Sequence, residues 1–189
     1  HYRNLGEPGG PEFSAEAVKA LAAAVEVTDG PNDEGEMFER PGKPSDAFVS
    51  PFNNDQEARS SNGGALPPDL SVMAKARPHG PDYLYALMVG YKAKPSDIKL
   101  SEGMHYNAAF PGHQIAMPNP LEDESIEYTD GTPATVANYS KDVTAFLMWA
   151  AEPKLEERHR IGFRVMIYLI LLAGILYFAK RKVWRRVDH

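Results

Sequence analysis

One stretch near the C-terminal end limits what this chain can fold into more than any other. From Ile161 to Ala179 it reads IGFRVMIYLILLAGILYFA, 19 residues in which Arg164 is the only charge. As a helix it would be about 29 Å long, close to the hydrocarbon thickness of a bilayer. Core helices seldom carry apolar residues on every face over such a length. The stretch is therefore predicted to cross a membrane once, and the KRKVWRR that follows it separates it from a signal peptide.

Charge gives that span a direction. Residues 1–150 hold 11 Lys or Arg against 22 Asp or Glu, whereas residues 151–189 hold 9 against 4. The densest basic group, Lys180, Arg181, Lys182, Arg185 and Arg186, follows the span directly. By the positive-inside rule this end faces the cytoplasm of a bacterium or the matrix of a mitochondrion, and the acidic head faces the periplasm or its mitochondrial equivalent. Trp184 and Tyr168 are candidate interfacial anchors. An acidic head repels a phosphate backbone, which argues against nucleic acid as a partner; its charge either attracts a basic soluble protein or serves solubility alone.

The chain has no cysteine. Disulfides, thiolate metal sites and thiol catalysis are thereby excluded for these residues. No G-x-S-x-G element, H-E-x-x-H pair or phosphate-binding glycine loop is present either.

Local signals predict a mainly α chain with long loops. SAEAVKALAAAVEV reads as a short helix capped by Ser14. Residues 28–68 are rich in Pro and Gly and read as one long irregular region, yet Phe38, Phe48, Val49, Phe52 and Leu66 suit a segment held against something rather than a disordered tract. Helices are expected over Ser71–Ala76 and Asp82–Val89, the second started by Pro81 and stopped at Gly90. Brief strands are expected near Lys99 and Ile126. Thr132 as N-cap and Pro133 at the first position predict a helix over Pro133–Ala150, its apolar face made of Val136, Tyr139, Val143, Phe146, Leu147 and Ala150. Pro153 is expected to open the last helix. The expected division is a head over 1–152 and a C-terminal helix over 153–189 containing the span 161–179. For a head of this size the regular structure is too scant to enclose a large apolar core unaided, and a bulky prosthetic group would supply the missing centre.

The runs NGGALPPDLSVMAKARPHGPDYLYALMVGY, GMHYNAAFPGHQIAMPNPL and DGTPATVANYSKDVTAFLMWAAEPKLEERHRIGFRVM, together with the opening YRNLGEPGGPEF, resemble the cytochrome c1 family, in its alphaproteobacterial form, in the same order and over almost the whole chain. The resemblance implies a cytochrome c-like haem domain on one C-terminal transmembrane helix within a cytochrome bc1 complex, a quinol–cytochrome c oxidoreductase. In that family the haem c iron takes an electron from the Rieske iron–sulfur protein and passes it to soluble cytochrome c, while cytochrome b handles the quinone. No catalytic acid, base or nucleophile is implied.

Carried over residue by residue, the resemblance makes Met117 in PGHQIAM the axial ligand of the haem iron. A thioether is a soft neutral ligand that raises the haem potential when paired with histidine, and Pro111, Gly112, Pro118 and Pro120 restrict the backbone around it. Arg77 in MAKAR corresponds to the arginine that pairs with a haem propionate. Asn62, Pro68, Tyr83 and Phe110 correspond to positions lining the haem crevice. His113 corresponds to a non-ligating position, and His79 and His105 have no metal-pair spacing.

One element of the pattern is missing. The family attaches haem through C-x-x-C-H, whose cysteines form two thioethers and whose histidine is the proximal ligand. In the resemblance that motif lies a short distance upstream of Tyr2, with several residues between its histidine and the tyrosine, which argues against His1 as the proximal ligand. The expectation is a fragment of a normal subunit. The alternatives are a haem-binding piece supplied as a separate chain and a haemless structural or assembly subunit of the same complex.

Overall fold

The structure is a computed structural model that describes residues 1–185; Arg186, the last member of the basic group, lies outside the described residues. The chain divides into two units, His1–Pro153 and a second beginning at Lys154.

The first unit is mainly helical with long loops, as expected. A 3₁₀ turn at Tyr2–Gly6 leads to α1 (Ala15–Ala23), where the Ser14 hydroxyl accepts from the Ala17 N–H at 3.2 Å. The helix stops four residues short of the predicted Val27, because Glu26–Asp29 forms β1 and pairs antiparallel with β2 (Phe38–Pro41). This hairpin corrects the reading of 28–68 as wholly irregular. Each strand is only four residues long, with Val27 and Phe38 as their large apolar side chains, and the pair is fastened by Arg40, which donates to Asp29 at 2.5 Å and to Asp46 at 2.7 Å. The same region also holds α2 (Asp55–Ser61), capped by the Asn54 side chain.

Two short helices follow. α3 (Met73–Ala76) begins two residues later than expected, and α4 (Gly80–Val89) carries Pro81 in its first turn as predicted. The strands forecast near Lys99 and Ile126 are absent. Two-residue strands β3 (His105–Tyr106) and β4 (Gln114–Ile115) pair instead. At Ile126 a side chain takes the place of a strand partner: the Tyr139 hydroxyl accepts from the Ile126 N–H at 3.0 Å and donates to its carbonyl at 2.5 Å.

The helix after that loop, α5, runs Val136–Ala151 with Thr135 as its N-cap, three residues later than the Thr132 reading. Its buried side matches the predicted one at Tyr139 and Leu147 and departs from it at Val143 and Phe146. Tyr139, Ser140 and Thr144 are buried, while Val143 and Phe146 are 40% and 41% exposed. The small Ser140 and Thr144 lie on the buried side of α5, the helix that α3 and α4 pack against. Burial of the Ser140 hydroxyl is made tolerable by its bond to the Val136 carbonyl at 2.6 Å.

The core is split in two. Tyr2, Leu5, Val18 and Ala22 form one cluster with Val25 and Trp149 against it, and Met73, Ala74 and Leu84 form the other with Tyr83, Leu147, Met148 and Ala151. The second unit is a single helix, α6 (Leu155–Trp184), opening two residues after Pro153. It is long and apolar enough to cross a membrane, and none of its residues is buried. Its last turn stacks Lys180 over Trp184 and Arg181 over Tyr177.

Candidate functional site

α4 is the element about which four of the six sequence-assigned residues are arranged. Arg77 caps α3 just before it, and Tyr83 lies half-buried in its first half, in the cluster of Met73, Ala74 and Leu84. Phe110 and Met117, both half-buried, belong to a loop tied to the other end of α4. Asn62 and Pro68 lie on the exposed segment after α2, where the Asn62 amide donates to the Ala58 carbonyl at 2.8 Å.

The tie between α4 and the loop is Asn107, which is fully buried. Its amide donates to the Leu87 carbonyl at 2.8 Å, and its oxygen accepts from the N–H groups of Ala109 at 2.9 Å and Phe110 at 3.2 Å. The Ala108 N–H donates to the Gly90 carbonyl at 2.9 Å, and Tyr91 bridges to Asn107. One side chain thus sets both the end of α4 and the start of the turn that carries Phe110. Beyond β4, the Tyr91 hydroxyl donates to the Met117 carbonyl at 3.0 Å. Burial raises the Tyr91 pKa above the ordinary phenol value, which keeps the hydroxyl protonated as a donor.

Asn107 and Tyr91 were not singled out from the sequence. The available signal was an Asn two residues before Ala109 in the turn-rich NAAFPG, a setting in which an Asx side chain accepts from the backbone that follows. Nothing in the sequence marks Tyr91. The histidines are dispersed: His113 is exposed with φ of 59°, His79 is exposed with φ of 64°, and no group of three His, Asp or Glu suited to a metal occurs among the described residues.

The description "Cytochrome C1 family" fits residues 1–187 by comparison with protein-family profiles. The chain belongs to the cytochrome c1 family. Among its relatives, "Cytochrome b/c1" of Bradyrhizobium diazoefficiens is 52% identical over 97% of this chain and 29% of that protein. "Cytochrome c1 1, heme protein, mitochondrial" of Arabidopsis thaliana is 56% identical over 97% of this chain and 59% of that protein. "Cytochrome c1" of Rhodospirillum rubrum is 45% identical over all of this chain and 74% of that protein. The chain therefore spans well under two thirds of the length of the first two.

Whether residues of this cytochrome c1 family chain suit a haem can be tested on the structure. The Arg77 guanidinium is exposed, makes no salt bridge among the described residues and donates to the neighbouring Ala76 carbonyl at 3.1 Å, so its charge is available to an anionic group. Leu66, Leu70 and Val72, large apolar side chains on the segment between Asn62 and Arg77, are 41%, 53% and 53% exposed. Met117 offers a neutral soft sulfur from a restrained loop. These features suit the methionine side of a haem site. The thioether side does not fit, because a chain with no cysteine has no residue that can form those bonds.

Proposed function

We propose that this chain forms the methionine-side part of the haem-bearing, membrane-anchored electron-transfer subunit of a ubiquinol–cytochrome c reductase, receiving electrons from the Rieske protein and delivering them to soluble cytochrome c. The observation that carries the reading is the family match over residues 1–187 in a chain whose methionine loop is pinned to α4.

In this reading a haem c supplies the one-electron iron couple, and the protein makes and breaks no bonds of its substrates. Met117 would hold the iron through its sulfur, Arg77 would pair with a propionate, and Tyr83 and Phe110 would wall the crevice and exclude water, with Asn62 and Pro68 on its rim. Excluding water strengthens each remaining electrostatic interaction, which is how such side chains set a potential. α6 anchors the head at a membrane beside cytochrome b, with the basic turn on the cytoplasmic or matrix side and the acidic unit on the opposite side. The acidic segments 29–39 and 122–130 steer a basic redox partner, an effect that weakens as salt rises.

A second reading, a haemless anchoring subunit of the same complex, is favoured by one observation, the absence of cysteine from these 189 residues. One experiment separates the two. The complete protein, purified with every residue encoded alongside this chain, should show haem bands that respond to ascorbate, and Met117→Ala should lower the potential or abolish the low-spin spectrum. A protein without haem bands leaves the anchoring reading standing. An unaltered spectrum in Met117→Ala rejects the ligand assignment.

A further inference from the structure

Within the Met117 loop, segment 116–120 is stiffened by its prolines and tied to the rest of the described head at one point. Met117 lies two residues past the end of β4, Pro118 and Pro120 have no N–H to donate, and the Leu121 N–H is turned inward onto the Asn119 side chain at 3.4 Å. Among the described residues, the one hydrogen bond from this segment to another element is that from the Tyr91 hydroxyl to the Met117 carbonyl. Tyr91 is itself a firm support. It follows Gly90 at the end of α4, its backbone bridges to Asn107, and Asn107 is fully buried with its amide and carbonyl both engaged. A loop atom fastened to such a support keeps its place better than one fastened to another loop.

We propose that Tyr91 is a positioning residue for the Met117 loop, its hydroxyl holding the sulfur-bearing segment closed and so setting how readily an outside ligand takes the methionine's place on the haem iron. The inference rests on Met117 being the axial ligand. In the exchange an imidazole nitrogen donates its lone pair where the thioether sulfur did, one coordinate bond forming as the other breaks, with no change in oxidation state. The sulfur leaves only when the loop opens, and the Tyr91 bond is lost in the same movement. Its free energy therefore enters the closed–open equilibrium directly.

The test uses the complete haem-loaded protein and imidazole as the probe. Tyr91→Phe keeps the ring and removes the hydroxyl; it should bind imidazole in the ferric form about five-fold more tightly, the factor given by one ordinary hydrogen bond. Amide exchange at Ala116 and Met117 should quicken by a similar factor, and Tyr128→Phe, which removes a hydroxyl bond elsewhere on the surface, should change neither. In a Met117→Ala background, Tyr91→Phe should add nothing to imidazole affinity, as a double-mutant cycle requires of two groups acting through one loop. If Met117→Ala alters the spectrum and imidazole affinity but Tyr91→Phe only lowers the melting temperature, the tyrosine is structural and the inference falls by itself. If Met117→Ala alters neither, the ligand assignment falls and takes the inference with it.

Discussion

A Cβ placed on Gly90 would lie 2.5 Å from the Asn107 side-chain oxygen and 2.7 Å from the Ala86 carbonyl. The end of α4 and the loop leading to Met117 thus meet where only a hydrogen fits. Gly90 has φ of −80°, an ordinary helical value, so the requirement is steric. Gly90→Ala should cost about 2 kcal/mol through overpacking against a backbone carbonyl and a fully buried side chain. Chemical denaturation of the two proteins measures it; equal midpoints would show that the contact relaxes freely.

Asn107→Leu should be more damaging. It leaves the Leu87 carbonyl and the N–H groups of Ala109 and Phe110 without their partner in a buried setting, a loss of about 3 kcal/mol. Amide exchange at Ala109 and Phe110 should speed up well beyond that at α1, which reports on the other cluster.

The Arg40 hydrogen bond to Asp46, with the Lys43 N–H adding to it, holds the Asp46 carboxyl down at about 2, and Arg40 likewise lowers Asp29. A depressed carboxyl stabilises the folded hairpin at every pH above the unfolded value near 3.8 and loses that contribution as pH falls toward 2. Proteolysis within 28–46 should therefore accelerate between about pH 4 and pH 2. Asp46→Asn should be more susceptible at neutral pH and show a flatter dependence.

Tyr128 behaves in the opposite sense. Its hydroxyl is hydrogen-bonded to the Asp142 carboxylate, which pushes its pKa up to about 12. The stabilisation is complete below the free phenol value near 10 and disappears as pH rises through 12. An ultraviolet titration should show Tyr128 ionising late, alongside the buried Tyr91, and Asp142→Asn should bring the Tyr128 component back toward 10. A late component as large in Asp142→Asn as in the unaltered protein would assign the Tyr128 shift elsewhere.

A Cβ on Gly10 would fall 2.5 Å from the Trp149 Nε1, an indole nitrogen that is buried without a hydrogen-bond partner. Gly10→Ala should shift the tryptophan emission and destabilise the cluster of Tyr2, Leu5, Val18 and Ala22 by about 1–2 kcal/mol. Trp149→Phe removes the conflicting atoms and the orphaned N–H together, so the double variant should lose less than the sum of the two single changes.

How much was legible depended on the range of each signal. The Ser14 cap, Pro81 in the first turn of α4 and its stop at Gly90 are matters of three or four neighbouring residues, and they were read correctly. At the site, Arg77, Tyr83, Phe110 and Met117 were assigned through long runs of resemblance; Arg77 and Tyr83 lie at the start of α4, and Phe110 and Met117 on the loop tied to its other end. Asn107 and Tyr91 escaped notice because their importance lies in partners 20 and 26 residues away. The β1–β2 hairpin was missed for a similar reason, since Arg40 reaches back to Asp29 across an eleven-residue separation.

α6 shows what sequence alone determined. A run long enough to cross a bilayer, with Arg164 as its one charge, is apolar on nearly every side, and no packing partner is needed to read it. α5 shows what only the tertiary structure decided. Its apolar periodicity pointed to Val143 and Phe146, yet the side that α3 and α4 cover is the one bearing Ser140 and Thr144. Leu147 and Met148 pack there too, but small side chains permit close approach and a local hydroxyl bond offsets the cost of burying serine, so the fit between helices, together with hydrophobicity, settled the buried face.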